Sequence, residues 1–561
     1  MANVPLPLDP VRPQADARPE PEEAAPRGGR RWARSRLARI RAGLPRTVLA
    51  ASCGVLLALS FPPYGLWPLS VLAVTGLSLL TYRRSARQAA WTGFAFGAPF
   101  LLWLLFWLNV IGLDAWLLLA FFETLFVSAM AAGQALTSRL RAWPLWTACL
   151  WVTQEWARDR VPLGGFPWGR LAFANTSSPF TPLAAIGGAP LVTFGVALSG
   201  ALLAAALISA RRREGSRWGV RAGSCAAFAL ICAVIGYTVP LPTAGQTAGG
   251  PATAEFAVIQ GNVPHAGMNF LGRPMEVLEN HVAETDKLAD AIAAGRAPKP
   301  DLVIWPENSS DVDPFQDPAA FNLIQQTVQR IGVPILVGAL VNGPDADHIQ
   351  NEGIVWSPAT GPGAHYTKQH PVPFGEYVPY RSLLTPYFSE LKRIPEDFYA
   401  GRTTGILQVG PARIGDVICF EVAYDGIVHD AVAKGGRVLV VQTNNATYEH
   451  TDQPDQQFAM SRLRAVESGR SVVIASTSGI SAVIAPNGRV VERTQLATAA
   501  ELEAKVPLRD GMTVADRVGA APEWALAIVG LLACAFAMYA SRRNRVPATA
   551  NDDAEEEGAG P

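Results

Sequence analysis

The chain has 561 residues, enough for several domains, and its 47 basic and 47 acidic side chains give a formal net charge of zero. Such a balance offers no bulk attraction to nucleic acid, so we expect no nucleic-acid partner. Charged residues make up only 17% of the chain and apolar residues 49%, whereas a soluble domain carries about a quarter charged residues. The composition therefore indicates a membrane protein.

Residues 1–46 are rich in Pro, Ala, Glu and Arg and lack apolar periodicity. Such a composition cannot bury a core, so we expect a disordered tail that becomes strongly basic between Arg30 and Arg41. A cleavable signal peptide would have a shorter leader and a small-residue cleavage site. The first apolar stretch after this tail is therefore expected to be an uncleaved signal anchor.

Eight apolar stretches are predicted to span a membrane, since a helix needs about 20 apolar residues to cross the hydrocarbon core. Seven form a bundle within residues 47–240, and the eighth lies within residues 523–540. The first is shorter than the others. The stretches are Val48–Phe61, Leu66–Tyr82, Ala89–Gly112, Ala115–Leu136, Trp143–Ala157, Leu183–Ala210, Trp218–Val239 and Trp524–Tyr539.

Basic residues precede the first of these stretches and follow the even-numbered ones. Because cytoplasmic loops carry the excess of Lys and Arg, this pattern predicts that both termini are cytoplasmic. Arg158 and Arg160, which follow the fifth stretch, are the exception. The chain between the seventh and eighth stretches is then outside the cell, and the acidic tail, residues 541–561, is a cytoplasmic segment.

Residues 253–508, bounded by linkers at 241–252 and 509–522, alternate strands and helices, which favours an α/β domain with a buried sheet. We expect a hairpin with Asn487 and Gly488 in its turn to end the core. The predicted strands are Phe256–Gln260, Leu302–Trp305, Pro334–Ala339, Ile354–Ser357, His365–Thr367, Val417–Ile418, Val438–Gln442 and Val472–Ser476. The predicted helices are Pro274–Gly295, Ala319–Ile331, Ile427–Ala433 and Gln456–Ser468.

The cysteines single out one residue of this domain. Five of the six lie in long apolar stretches, and only Cys419 lies in the charged, strand-rich part of the chain, so a disulfide framework has no partner there. Cys419 ends an apolar strand, where catalytic groups collect in α/β sheets. It is therefore a candidate nucleophile, the alternative being an inert buried cysteine of the kind common in cores.

Glu307 and Lys368 are the candidate partners of this cysteine. Pro306 cannot extend a strand ladder, so the Glu307 carboxylate is expected to project from a strand end and act as a general base. Lys368 begins a proline-rich loop that also carries Glu376. An ammonium beside a thiol favours the thiolate and can stabilise an oxyanion, although either partner taken alone is also typical of a solvated surface residue.

The order Glu307, Lys368, Cys419 resembles the Glu-Lys-Cys triad of the nitrilase, or carbon–nitrogen hydrolase, superfamily. Several motifs are similar to its apolipoprotein N-acyltransferase family, and so is an arrangement of eight spans with the catalytic domain before the last. These motifs are Gln260–Pro264, Trp305–Glu307, Lys368–Pro379, Ile418–Glu421 and Arg462–Arg470, with Glu155–Arg158 and Gly165–Trp168 in the bundle part.

The resemblance implies an α-β-β-α sandwich outside the plasma membrane of a bacterial cell, on a multi-pass bundle. It implies transfer of an acyl chain from a membrane phospholipid to the N-terminal amine of a diacylated lipoprotein, through a thioester on Cys419. Lys368 and the Phe420 backbone N–H would stabilise the oxyanion, while Glu376 and Glu421 would support Lys368 and the base. No metal or other cofactor is required, and the seven histidines do not place two metal ligands on one helix face.

Three places depart from the family pattern and bear on substrate contacts. Phe420 stands where the family often has Tyr, Thr447–Glu449 replaces an aromatic segment, and a tryptophan is replaced near Asn269 and Phe270. We also expect Tyr377–Phe388 to form a lid that dips toward the bilayer, the alternative being ordinary packing on the sandwich.

Two other functions and four weaker candidate residues stay open from the sequence. The chain could be a membrane-tethered amidohydrolase that uses water as acceptor, or an inactive sandwich that binds lipoproteins. A carboxylate in a membrane helix is a candidate functional group, as with Glu123 and Glu155, although Glu155 could simply pair with Arg158 or reach water. His365 and His370 flank Lys368 and are expected to be structural.

Overall fold

The structure is a computed structural model that describes residues 27–213, 217–265, 267, 273–387, 391–392 and 394–543, with side chains from residue 43 onward. Within these ranges, helices occupy all eight predicted apolar stretches. They are α1 (Arg27–Ala58), α2 (Pro68–Thr81), α3 (Ala86–Leu104), α4 (Leu113–Thr137), α5 (Trp143–Arg158), α6 (Ala184–Arg212), α7 (Trp218–Val234) and the last helix, Ala521–Arg543. Asn269, Phe270, Phe388 and the tail after Arg543 lie outside the described residues.

Four of these helices, among the described residues, are long and apolar enough to cross a membrane. They cover Leu113–Thr137, Thr181–Arg212, Trp218–Thr238 and Ala521–Arg543, while Gly43–Ala58 and Pro68–Thr81 are shorter apolar helices. α1 starts at Arg27, inside the segment predicted to be disordered, because the Arg, Ala and Leu residues of the basic run are strong helix formers.

The chain between α7 and the last helix folds into two sheets. The first has the strand order β13-β1-β2-β3-β4-β5, with β6 beside β4, and the second has the order β12-β11-β10-β9-β8-β7. The strands are β1 (Thr253–Gln260), β2 (Leu302–Ile304), β3 (Ile335–Asn342), β4 (His348–Ser357), β5 (Gly361–Thr367), β6 (Asp397–Phe398), β7 (Ile406–Val409), β8 (Ala412–Ile418), β9 (Val438–Thr443), β10 (Val472–Ser476), β11 (Ala482–Ile484), β12 (Val490–Arg493) and β13 (Ala500–Pro507).

The two sheets pack face to face between two layers of helices. Apolar side chains such as Val258 and Ile304 from the first sheet meet Ile414 and Val440 from the second in a dry inner core. The helices are α8 (Glu276–Ala293), α9 (Pro318–Ile331), α10 (Arg381–Leu384), α11 (Asp425–Ala433), α12 (Gln453–Ser468), α13 (Val514–Val518) and α14, the last helix (Ala521–Arg543). α8 and α9 cover the first sheet, and α11 and α12 cover the second, so the domain is the α-β-β-α sandwich that the resemblance implied.

The core does not end at the predicted hairpin. β13 follows it and pairs antiparallel with β1 along its whole length, from Thr253 opposite Pro507 to Gln260 opposite Ala500. The alternation of Leu502, Ala504 and Val506 with charged residues is the period-two pattern of a strand with one buried face. That signal was present in the sequence and the prediction omitted it.

Buried ion pairs join the bundle to the sandwich, and we call this group the junction network. Its members are Glu123, Glu155, Arg158, Asp159, Arg170, Asp425, Arg464, Glu467 and Glu523. Asp425 of α11 bridges two guanidinium groups, at 2.8 Å from Arg170 Nη1 and 2.7 Å from Arg464 Nη1. The network therefore connects the loop after α5 to α11 and α12.

Glu155 does not pair with Arg158 or reach water, as the sequence had suggested. Glu155 is buried, and its carboxylate lies 3.6 Å from Arg170 Nε and accepts hydrogen bonds from the Leu171 N–H and the Thr193 hydroxyl. Arg158 instead donates to Glu123 and to the Trp168 carbonyl. Both membrane-helix carboxylates are thus tied into contacts that hold the α5–α6 loop.

Candidate active site

Cys419 sits at a sharp turn where β8 ends. The strand stops at Ile418, a short 3-10 helix covers Cys419–Ala423, and Cys419 itself has a φ of 55°. A residue other than glycine in this left-handed region is strained, and such strain collects at functional sites. The turn leaves Cys419 partly exposed while its neighbours Ile418 and Phe420 are buried.

Glu307 follows β2 in the other sheet and is buried, with 4% of its surface exposed. Its two carboxylate oxygens have separate partners. Oε1 accepts from Asn351 Nδ2 at 2.7 Å and from Lys368 Nζ at 3.1 Å, and Oε2 accepts from the Asn444 N–H at 2.8 Å. These contacts from three elements fix the orientation of the carboxylate.

Lys368 follows β5, is 1% exposed and lies between two carboxylates. Its Nζ is 3.1 Å from Glu307 Oε1 and 2.6 Å from Glu376 Oε1. Burial alone lowers the pKa of the ammonium, but the charges of Glu307 and Glu376 outweigh it and hold this pKa well above its ordinary value. Lys368 is therefore a permanent cation at neutral pH.

Glu376 accepts hydrogen bonds from both Lys368 and the turn that follows it. Its second oxygen accepts the Val372 N–H at 2.7 Å, which closes the proline-containing loop after Lys368. Burial raises the pKa of this carboxyl, the nearby Lys368 ammonium opposes that effect, and the Glu307 charge adds to it. Glu376 therefore contacts the lysine directly.

Glu421 ties the lysine loop to the cysteine strand without touching Lys368. Its carboxylate accepts the N–H groups of Gln369 at 2.6 Å, His370 at 3.0 Å and Ile418 at 2.8 Å, and the Tyr366 hydroxyl at 2.9 Å. Since its partners are the residues directly after Lys368 and directly before Cys419, Glu421 fixes the distance between the two segments through backbone contacts.

The Cys419 thiol interacts electrostatically with both Glu307 and Lys368. Burial and then the Glu307 charge raise its pKa to about 12, although Lys368 and a hydrogen bond with Thr443 oppose the rise. At neutral pH the sulfur is thus a thiol, and it needs a base to become a nucleophile. The structure brings together the three side chains that were predicted from the sequence.

Phe420 turns its ring away from the triad and toward the bundle. The ring stacks on Trp168 at 5.8 Å and on Phe166 at 5.6 Å between centroids, both from the α5–α6 loop. His370 packs on Tyr424 at 4.0 Å, and burial followed by the Lys368 charge lowers its pKa to about 4. His370 is therefore neutral, in keeping with its structural assignment.

Sequence reasoning missed several residues of the site. Asn351 and Asn444 bind Glu307, and Tyr366 binds Glu421. The ring of Tyr448 packs on Trp107 of the bundle at 5.0 Å between centroids. Burial and then the charge of Cys419 raise the pKa of the Tyr448 hydroxyl, so this residue also interacts with the triad. An asparagine directly after a buried strand was a usable signal for Asn444, whereas Asn351 in the middle of β4 gave none.

The other candidates lie outside this site. His365 is largely exposed, and its ring nitrogen is 3.9 Å from Glu352. In the part of the chain that the structure describes, no group of three or more His, Cys, Asp or Glu side chains is arranged to hold a metal ion.

The sandwich and its three strand-end residues define a domain of the carbon–nitrogen hydrolase class, and the model of that family matches residues 257–511. The model of the apolipoprotein N-acyltransferase N-terminal domain matches residues 53–202. The chain is 38% identical to the apolipoprotein N-acyltransferase of Mycolicibacterium smegmatis, over 96% of this chain and 94% of that protein. The chain belongs to the apolipoprotein N-acyltransferase family.

More distant relatives have the same name. The chain is 29% identical to the apolipoprotein N-acyltransferase of Geobacter metallireducens, over 85% of this chain and 92% of the relative. Among solved structures, an amidase from Nesterenkonia sp. is 19% identical and covers 47% of this chain and 93% of its own, with a TM-score of 0.32.

Proposed function

We propose that this enzyme transfers a fatty acyl chain from a membrane phospholipid to the N-terminal amine of a lipoprotein's diacylglyceryl-cysteine. The observation that carries the proposal is the convergence of Glu307, Lys368 and Cys419, next to aromatic residues of the bundle. A site at this junction suits substrates that are lipid at one end and polar at the other. Family membership supports the choice of acyl transfer over amide hydrolysis.

In the first step, Glu307 takes the proton of the Cys419 thiol and the sulfur attacks the carbonyl carbon of a lipid ester. The C–S bond forms, and the oxyanion is stabilised by Lys368 and by the Phe420 N–H, which lies in the first turn of a helix where N–H groups lack intrahelical partners. The C–O bond then breaks. Glu307 returns its proton to the leaving oxygen, and a lysophospholipid departs.

In the second step, the lipoprotein amine attacks the thioester on Cys419. Glu307 accepts the proton of the amine, the amide bond forms, and the C–S bond breaks. The sulfur recovers its proton from Glu307, so the resting state with a neutral thiol is restored. Covalent catalysis of this kind has ping-pong kinetics, and a site that excludes water protects the thioester from hydrolysis.

The membrane arrangement is part of the same proposal. α1 to α7 and α14 are the eight spans, both termini are cytoplasmic, and the domain within residues 253–508 lies outside the plasma membrane. α2, with 14 residues, and α5, with 16, are short for a full crossing, so they span only with the loops that extend them. The acyl donor therefore comes from the leaflet that faces the sandwich.

The segment after Glu376 is the proposed lid. Tyr380, Leu383 and Tyr387 are exposed by 71%, 63% and 79%, so they do not pack on the sandwich. Large apolar side chains exposed together at one loop are typical of membrane or partner contact. Charging Leu383 to Asp should slow lipid turnover in a folded protein, and unchanged turnover would remove the lid from the proposal.

Mass spectrometry of a lipoprotein N-terminus tests the proposal. We expect an acyl mass gain when the enzyme and phospholipid are present and none with Cys419→Ser. A matched control is Cys534→Ser, which removes a thiol in α14 outside the catalytic domain. If the native enzyme adds no acyl mass, or if it releases amine from small amides without lipid, transfer is refuted.

A further inference from the structure

A small cavity of about 170 Å³ lies apart from the triad, where the bundle meets the sandwich. It is lined by the α1–α2 loop, the α5–α6 loop, α12 and the end of β12. Since one water takes up about 30 Å³ of liquid, the cavity has room for a group the size of a phosphate. Different side chains of α12 contact the two sites. On the triad side, Gln456 accepts a hydrogen bond from Trp168 and Gln457 accepts one from Thr443. Asp455 and Arg462 line the cavity.

Arg462 and Arg493 line this cavity, and the charge of Arg493 acts on the Asp455 carboxyl without forming an ion pair with it. In the described part of the chain, neither Arg462 nor Arg493 has a carboxylate within 4.0 Å. Arg462 is half-buried, and its Nε donates to the Gly488 carbonyl at 3.2 Å, a neutral acceptor that does not balance its charge. Burial also lowers the pKa of Arg462, because the guanidinium loses contact with water and gains no paired charge. A guanidinium removed from water without a paired charge is costly, and an anion would relieve that cost.

The remaining lining residues define the anion. Asp455 stands on the same side as Arg493, so two cations and one carboxylate leave a single positive charge. A phosphodiester carries one negative charge, whereas inorganic phosphate is a mixture of monoanion and dianion at neutral pH. Thr176 and Ser177 add hydroxyl donors, and Phe458 supplies an apolar wall. Arginine is suited to such oxygens because its planar group donates two parallel hydrogen bonds.

The loops at the cavity also carry exposed apolar side chains. Tyr64 and Leu66, next to the lining residues Pro62, Pro63 and Gly65, are 46% and 51% exposed. A phospholipid has a phosphate group next to apolar chains, so it matches a cationic cavity that lies beside exposed apolar residues at the ends of membrane helices. We propose that this cavity binds the phosphodiester of a phospholipid head group, at a site separate from the one that acylates Cys419.

This inference rests on the proposed function at one point, which is that the lipid comes from the leaflet facing the sandwich. The test uses the full-length Cys419→Ala protein, which cannot consume lipid, in detergent with dihexanoyl-phosphatidylglycerol or inorganic phosphate, and native mass spectrometry to count bound molecules. Arg493→Gln, Arg462→Gln and the double variant remove the cations. Arg489→Gln is the matched control, because Arg489 is exposed in the same hairpin and does not line the cavity.

We expect each substitution at Arg462 or Arg493 to weaken lipid binding about tenfold, as for the loss of one charge-assisted hydrogen bond. Arg489→Gln should bind as the parent does, and inorganic phosphate should not compete at equal concentration. Equal binding by the double variant and the control would overturn the proposal, and phosphate binding as tight as the lipid would overturn its lipid part. Because Arg493 is exposed, its variant carries the test even if Arg462→Gln fails to fold. Failed acyl transfer by the native enzyme, with intact binding by the Cys419→Ala protein, would refute only the proposed function.

Discussion

Two groups of buried charge lie close together in this protein and differ in how they are satisfied. In the triad, one ammonium serves two carboxylates, and a thiol on strained backbone stands beside them without an ionic partner. In the junction network, each guanidinium group contacts acceptors from separate elements. Arg464, for example, pairs with Asp425 and Glu467 and donates to two backbone carbonyls. The first group leaves reactive atoms available, and the second holds two domains together.

Substitutions in the triad should give the largest effect, and it should fall mainly on rate. We expect Glu307→Gln and Lys368→Met to lower acyl transfer about 10³-fold or more, because members of a catalytic unit fail together. Glu307→Gln should change thermal stability in detergent little, whereas Lys368→Met also leaves two buried carboxylates unpaired and should lower it. The measurement is acyl-enzyme formation and turnover with a defined phospholipid, and Lys434→Met, at an exposed lysine, is the control.

Turnover within tenfold of the native enzyme for either triad variant would contradict these roles. Such a result would mean that another group takes the thiol proton or stabilises the oxyanion. Tyr448 would then be the next residue to test, because it lies near the same three side chains.

In the junction network the expected loss is in stability. Arg464→Met leaves the charges of Asp425 and Glu467 without their fully buried partner, and breaking a buried ion pair costs about 3–5 kcal/mol. Thermal unfolding in detergent measures the loss. Arg413→Met is a matched control, because Arg413 is exposed and its guanidinium donates to a neutral acceptor, the Lys434 carbonyl.

Equal melting temperatures for the Arg464 and Arg413 variants would show that the network contributes no stability. The comparison between the two charge groups would then fail, since the junction network would tolerate the loss of a member without a structural effect.

The same contrast explains what could be predicted from the sequence. Glu307, Lys368 and Cys419 each stand at a strand end beside Pro306, a proline-rich loop or a carboxylate, so local pattern and family resemblance predicted all three as a triad. The partners in the junction network come from α4, α5, α11, α12 and α14, and no local pattern links them. The sequence consequently suggested Arg158 as a partner for Glu155. In the structure, Glu155 pairs with Arg170, and Arg158 pairs with Glu123.

Edge elements were predicted less well than central ones. Strands such as β9 and β10 are continuous runs of Val and Ile with every residue buried, and their bounds were nearly right. β7 has only four residues, so its alternation of exposed and buried positions is too short to predict a strand. β13 has the period-two pattern of a strand and was overlooked, and its pairing with β1 is the part that no local pattern shows.

His370 lies between the two charge groups and should make stability depend on pH. Its folded-state pKa of about 4 is below its ordinary value, because burial and then Lys368 disfavour the imidazolium. The unfolded chain therefore binds more protons between pH 6.5 and 4, and the stability present above 6.5 is lost as the pH falls through this window. We expect His370→Gln to lose less melting temperature than the native protein between pH 7.5 and 5.0. Parallel losses in the two proteins would exclude His370 as a source of acid sensitivity.

Phe420→Tyr should have the smallest effect and sharpens the boundary between the two groups. The Phe420 ring faces the α5–α6 loop rather than the triad, so restoring the hydroxyl common in the family adds a polar group at the junction and not at the reacting atoms. We expect turnover within about threefold of native and a stability change below about 1.5 kcal/mol, the usual range of one hydrogen bond. Tyr424→Phe, which deletes a hydroxyl that donates to the Gly165 carbonyl at 2.9 Å, is the reciprocal control. A tenfold change in rate for Phe420→Tyr alone would mean that position 420 acts on the chemistry through its side chain as well as its N–H.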